Sequence, residues 1–362
     1  MYLCAMQKIL THTIYLKIAC LTAVLGLGSL GAAGQEERKA KFVFGIDNFS
    51  FFDNREVSSP YQRSQTIFGS RLGGEVGIQF GANQIMIGAM GIKDFGEKKW
   101  AKEAFTFYYH YEKGHFSGAF GLFPRQRLKA ELPDIFIYDS LRYYTPTING
   151  ALIQYTAHQG YAEVYCNWLS KQGKNKREVF ELVSDGRFGL KGFYVGWNFQ
   201  MLHYALPSEA TDEHIYDKVM LHPHVGFETN KVGWLDALRV NAGAVMSLNR
   251  DRADMKWKRP LGFMGELRLR KWRLELHDLL YVGERQFSDY GKHGVELHRG
   301  DPYFQSRTYN RTDLSFYLLN KDYIQCRATA SVHFTEGEVD NSQQIILRIA
   351  LDKNFLSDLF KR

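Results

Sequence analysis

Segments of about ten residues in which apolar and polar positions alternate recur along the chain, and the connections between them are alternately tight and long. The tight connections fall at residues 82–83, 113–114, 159–160, 191–192, 230–233, 270–271 and 320–322. The long ones fall at 52–70, 95–103, 124–146, 171–177, 207–218, 250–259, 283–307 and 335–342. Seven tight and eight long connections predict sixteen strands, with fourteen and eighteen left open. A strand turns successive side chains to opposite faces. Phe105, Phe107, Tyr109 and Tyr111 then share one face, and Thr106, Tyr108, His110 and Glu112 the other. Leu261, Phe263, Leu267 and Leu269 likewise oppose Glu266, Arg268 and Arg270; beyond the next turn Trp272, Leu274 and Leu276 oppose Arg273, Glu275 and His277. The predicted fold is all-β: a transmembrane antiparallel β-barrel with tight periplasmic turns and longer extracellular loops. A soluble sandwich also alternates, but its connections would not keep a long-short order through the whole chain.

Aromatic residues sharpen the membrane reading, because barrels carry aromatic girdles where the apolar band meets the headgroups. Phe80, Tyr111, Tyr161, Phe193, Trp234, Trp272 and Tyr323 each stand beside a tight turn, and Trp100, Trp168, Trp257 and Tyr281 stand near the long loops. No segment after residue 34 is apolar over a helical membrane span, so a closed barrel is the way left to satisfy the backbone in lipid. The start reads differently. Lys8 and Lys17 precede an apolar run over 18–30 and small residues at 31–34, which predicts a signal peptide over 1–34 and a barrel over 35–362. Cys20 opens that run after Lys17, the wrong setting for a lipid-modified cysteine.

Charge changes the picture little. The full chain carries +7; loss of Lys8 and Lys17 leaves 44 Lys+Arg against 39 Asp+Glu, too even a balance to expect a nucleic acid partner. Cys166 and Cys326 lie far apart on strands and make no disulfide framework. Chemistry motifs are sparse. His222 and His224 share a strand face at metal-binding spacing, but Pro223 and the lack of a third neighbouring ligand argue against a metal. His110, His158, His203, His277 and His333 are scattered and no Gly-x-Ser-x-Gly turn occurs, so the expectation is no enzyme, no cofactor and no metal.

The closing segment puts Ile345, Leu347, Ile349 and Leu351 towards lipid and Gln344, Arg348 and Asp352 towards the interior. Together with the leader and the alternating turns, the chain resembles an outer-membrane porin-like barrel of the Bacteroidetes kind. It departs in its end, where Phe355 and Phe360 are followed by Lys361 and Arg362 in place of a terminal aromatic. Sixteen strands leave a water-filled lumen. The strand phasing lines it with Asp47, Arg71, Glu75, Glu163, Asn167, Asn198, Gln200, Arg239, Asn241, Glu266, Arg268, Arg273, Glu275, Arg327 and Arg348.

In porins of this size the third long loop commonly folds into the pore. Here it carries Arg125, Arg127, Lys129 and Arg142 with Glu131, Asp134 and Asp139, a constriction in one reading and a solvated or lipopolysaccharide-binding lid in the other. Arg239, Arg268, Arg273, Arg327 and Arg348 hint at a weak anion preference. The resemblance implies diffusion of small hydrophilic solutes; the alternative is a non-conducting barrel serving as surface adhesin, anchor or part of an export assembly. The expected discriminator is whether the third loop and the loop over 283–307 fold inward. Expected partners are outer-membrane lipid and lipopolysaccharide, the barrel-assembly machinery, and a second copy of the chain through Gly88, Ala89, Gly91, Gly118 and Gly121.

Overall fold

The computed structural model describes residues 40–209, 214–253 and 255–352. The signal peptide expected over 1–34 and the end carrying Phe355 and Phe360 lie outside these residues. The barrel strands are β1 Lys41–Glu56, β2 Gln65–Phe80, β3 Asn83–Asp94, β4 Lys102–Lys113, β5 Phe116–Pro124, β6 Thr147–Ala157, β7 Gly160–Ser170 and β8 Val179–Leu190. They continue as β9 Phe193–Tyr204, β10 Tyr216–Thr229, β11 Ala237–Asp251, β12 Leu261–Lys271, β13 Leu274–Gly283, β14 Thr308–Lys321, β15 Ile324–Phe334 and β16 Val339–Asp352. Each pairs antiparallel with its chain neighbour, and β1 closes on β16 from Gly45 opposite Asp352 to Glu56 opposite Asn341. A two-residue piece, Trp257–Lys258, adds to the end of β11. Closure pairs both edges of the sheet, which is what lipid exposure demands.

The tight turns form because residues there accept positive φ. Lys191 and Gly192 both do, at 53° and 90°, as a two-residue hairpin turn between right-twisted strands requires. Gly81, Gly114 and Trp272 do so singly, at 62°, 61° and 55°. The alternation then sorts the faces. Phe42, Phe105, Phe107, Leu190, Phe193, Val195 and Val225 stand exposed on the outer wall, whereas Met86, Tyr108, Tyr165, Met220, Met264 and Leu279 are buried inside.

Several expectations need correcting. The loop expected over 52–70 shrinks to 57–64, since β1 and β2 run on to Glu56 and from Gln65. The inward positions there, Asp53 and Arg55, are charged, so they read as loop until their buried pairing is seen. Arg273 lies exposed in the turn between β12 and β13, over the Trp272 ring at 5.4 Å, because β13 begins only at Leu274. Tyr161 leaves the predicted girdle to donate from inside to Asp185, and Tyr281 is fully buried in the interior. The glycines proposed as a contact face divide: a Cβ on Gly88 would meet Glu75 and Thr106 inside, while Gly91 lies under Trp100 outside.

Candidate functional site

Two of the long loops fold into the lumen. The third, over 125–146, contains a 3-10 turn at Arg125–Arg127 and helix α1 at Asp139–Tyr144. The seventh, over 284–307, contains α2 at Tyr290–Leu297 and a 3-10 turn at Pro302–Gln305. Their apolar residues, Leu132, Ile135, Phe136 and Ile137 from one and Phe287, Tyr303 and Phe304 from the other, join inward wall residues in one core. The loops are also stitched by backbone: Asp301 donates to the Asp134 carbonyl at 2.8 Å and Tyr138 to that of Arg299 at 3.1 Å. Gly300 makes that approach possible, since a Cβ there would sit 1.9 Å from the Ile135 oxygen.

Charged groups tie the third loop to the wall of β14, β16 and β1. Arg311 pairs with Asp134 and Asp313 at 2.8 Å and reaches Asp139 at 3.6 Å. Arg142 bridges Asp134 and Asp139 at 2.7 and 2.9 Å and donates to the Leu132 carbonyl. Gln344 donates to Asp139 at 3.0 Å, and Tyr143 to Asp53, the partner of Arg55. Asp301 accepts from Gln62 at 2.7 Å, and Asp340 accepts from Ser59 and Tyr303. Between these groups lies a small open pocket of about 20 Å³, lined by Arg55, Tyr138, Asp139, Asp301, Arg311 and His333 among others. Six carboxylates, Asp53, Asp134, Asp139, Asp301, Asp313 and Asp340, face three arginines, Arg55, Arg142 and Arg311, so this wall is acid-rich.

The opposite wall, built by β7 to β11, inverts that balance. Glu181 is buried and accepts from Asn167 at 2.8 Å and Gln200 at 3.0 Å, with Arg299 Nε 3.3 Å away. Lys218 is buried with its Nζ 4.6 Å from the Phe287 ring centre. Arg125 reaches the Tyr165 hydroxyl at 3.4 Å and the Thr145 carbonyl at 3.0 Å. The fields of Arg125, Arg299 and Glu181 all act on Tyr165, placing one carboxylate among the cations.

The remaining predicted residues lie towards the tight-turn end of the lumen. Arg71 and Arg348 flank Asp47 at 3.2 and 3.6 Å. Glu75 accepts from Thr106 and Tyr108, whose hydroxyl also accepts from Arg127 at 2.8 Å. The backbone of Lys129 donates to Glu163. Arg187 bridges Glu228 at 2.6 Å, Arg239 donates to Tyr194, and Arg268 stands 3.9 Å from Glu275. Asn241 turns towards Glu266, and Arg327 lies near Tyr317, Glu131 and Glu275. Beside these residues stand Asp53, Arg55, Lys218, Arg299, Asp301, Arg311 and Asp313, which the sequence did not single out. The histidines His222 and His224 stack inside at 4.7 Å, and among the described residues no group of three or more potential ligands could hold a metal.

One feature lies outside the lumen. At the long-loop end of the outer wall, Trp168, Phe180, His203, Asp217, Arg250 and Trp257 stand in a single row of cross-strand pairs. His203 Nδ1 is 3.6 Å from Asp217, which Arg250 and Arg252 hold at 2.6 and 2.8 Å, and Arg250 lies over the Trp257 ring. An aromatic girdle thus carries an inserted histidine, carboxylate and two arginines.

Solved structures share the architecture. A variant of OccD1 (OprD) aligns at a TM-score of 0.50 with 8% identity, over 88% of this chain and 98% of that one. An anion-selective porin from Comamonas acidovorans aligns at 0.54 with 10% identity, over 87% and 100%. A loop L8 deletion mutant of OmpT, an outer membrane protein of Vibrio cholerae, aligns at 0.53 with 9% identity, over 86% and 99%. Identities this low show a porin-like sixteen-stranded fold and nothing of the solute. No curated protein matches the chain. Residues 34–357 match the model of a described family, lipid A 3'-O-deacylase-type, across nearly the whole sequence. The chain belongs to the lipid A 3'-O-deacylase-type family.

Proposed function

We propose that this barrel stands in a bacterial outer membrane, tight turns in the periplasm and long loops outside, and admits small hydrophilic solutes with a preference for anions. The observation that carries the reading is the charge separation across the lumen at the level of the two inward loops. An acid-rich wall held by Arg55, Arg142 and Arg311 faces a base-rich wall of Arg125, Lys218 and Arg299 around Glu181. A field of this kind orients and selects polar solutes in a narrow passage. Arg239, Arg268, Arg327 and Arg348 add positive charge below it. The two loops pack into the lumen against its wall in one core, and their inward course leaves little chain for a surface adhesin.

The test is conductance of the folded protein in a planar bilayer, with reversal potential under a salt gradient. Small steps with an anion-selective sign are expected. Arg311→Ala, which strips Asp134, Asp139 and Asp313 of their shared cation, should enlarge the steps by freeing the third loop. No steps from protein shown to be folded by heat-modifiable mobility would end this reading.

The His203–Asp217 pair supports a second reading, in which the protein acts on lipid A as its family's description states. A histidine oriented by a carboxylate takes the proton from a water attacking an ester, while Arg250 and Arg252 hold a lipid phosphate. Mass spectrometry of lipid A incubated with the protein tests it. Loss of an acyl chain that His203→Ala abolishes is the expected result; unchanged lipid A with the native protein removes the reading.

A further inference from the structure

Asn167, Glu181, Leu202, Lys218 and Asn249 stand side by side on the inner wall of β7 to β11, each opposite the next. The seventh loop covers this row. Leu297 joins Leu202 in an apolar cluster, Phe287 lies over Lys218, and Arg299 lies against Glu181. Beneath that cover, buried donors lack acceptors: Lys218 Nζ, Arg299 Nη2, Arg125 Nη2 and Asn249 Nδ2. Asn249 Oδ1 and His298 Nδ1 are likewise without partners. Lys218 is only 2% exposed, and Asn249 8%.

Two independent features agree here. The donors want oxygen acceptors, and the charges want an anion, because Glu181 is one carboxylate among three cations and is already taken by Asn167 and Gln200. Water satisfies an N–H but leaves buried charge uncompensated, and an uncompensated buried cation is the costlier defect. An oxyanion answers both demands, and a carboxylate is the smallest organic one that offers an oxygen to an arginine and another to a lysine at once.

We infer that Lys218, Arg299 and Asn249, with Arg125 beside them, bind the carboxylate group of a small anionic solute beneath the seventh loop. The inference rests on the channel reading for the route by which the solute arrives, but its test does not. Acetate is the probe, titrated calorimetrically into the full mature protein in detergent with chloride fixed in excess. Native protein should bind acetate and unfold at higher temperature in its presence. Lys218→Met and Arg299→Gln should each weaken binding by at least about 30-fold, the effect of removing one partner of a buried charge pair. Lys113→Gln, at a tight turn, should leave it unchanged.

Lys218→Met keeps the length of the side chain and removes an unpaired buried charge, so it should fold at least as well as the native protein and lose only the acetate-dependent rise in unfolding temperature. No acetate binding under these conditions, or binding that survives both substitutions, overturns the site. Binding without conductance leaves the site standing and removes the channel; conductance without binding does the reverse.

Discussion

Two carboxyl groups on the inward loops are pushed in opposite directions. Burial drives Asp301 up to about 6 and Asp134 adds to the rise, while Arg311 and the Tyr303 amide oppose it. Burial pushes Asp139 the same way, but Arg311, Arg142 and Arg55 outweigh it and hold that carboxyl well below its ordinary 3.8. The linkage signs differ accordingly. Asp301, raised in the folded state, favours the seated loop below its unfolded value of 3.8 and loses that contribution as pH rises through about 6. Asp139, depressed, contributes above 3.8 and loses its contribution as pH falls further. The loops should therefore be seated most firmly near pH 4, with the Asp301 contribution draining away up to about pH 6. Conductance, or protease access to the loops, measured across a pH series should show its minimum there. Asp301→Asn should flatten the alkaline limb alone; an unaltered limb would show that Asp301 does not govern it.

The third and seventh loops behave as one element, because each supplies backbone acceptors or donors to the other and both feed the same core. Their meeting point is Gly300. A methyl group there must displace the Ile135 carbonyl or the loop itself, and Phe287 closes off the other side at 2.8 Å. Gly300→Ala should thus part the loops, breaking the Asp301 to Asp134 and Tyr138 to Arg299 hydrogen bonds, at about 1–3 kcal/mol for each group left unsatisfied. Larger conductance steps, with unchanged heat-modifiable mobility of the barrel, are the expected signature.

The third loop was legible in the sequence because Arg125, Asp134, Asp139 and Arg142 crowd a long connection. The seventh was legible only as length, since its working residues, Phe287, His298, Arg299 and Asp301, are ordinary until the fold sets them against Lys218 and Asp134. Asp53 and Arg55 were misread for a related reason. Two charges in alternation look like loop when the partner that buries them, Tyr143, is ninety positions away.

At the scale of the whole molecule, alternation settled the strand count and the faces, and what it missed was where strands end. Arg273 falls on the lumen face only if β13 starts at Trp272, two residues before its actual start at Leu274, and Tyr281 and Tyr161 read as girdle because an aromatic near a strand end looks the same from either side of the wall. Closure depends on β16, which pairs with β1 along twelve positions and with β15 along the other edge. Deleting residues 339–352 would leave two unpaired edges, which lipid does not tolerate. The truncated chain should give no heat-resistant folded band on a gel; such a band would mean that fifteen strands can close by themselves.

The row of His203, Asp217, Arg250 and Arg252 occupies only the β9 to β11 sector of the outer wall. Elsewhere around the circumference the wall meets lipid with residues such as Phe105, Phe107 and Phe120. Viewed along its axis, the barrel therefore has a front and a back. The wall is not uniform around its circumference: ion-paired charge gathers in one sector and exposed aromatic side chains in another, so the barrel carries a compass bearing of its own.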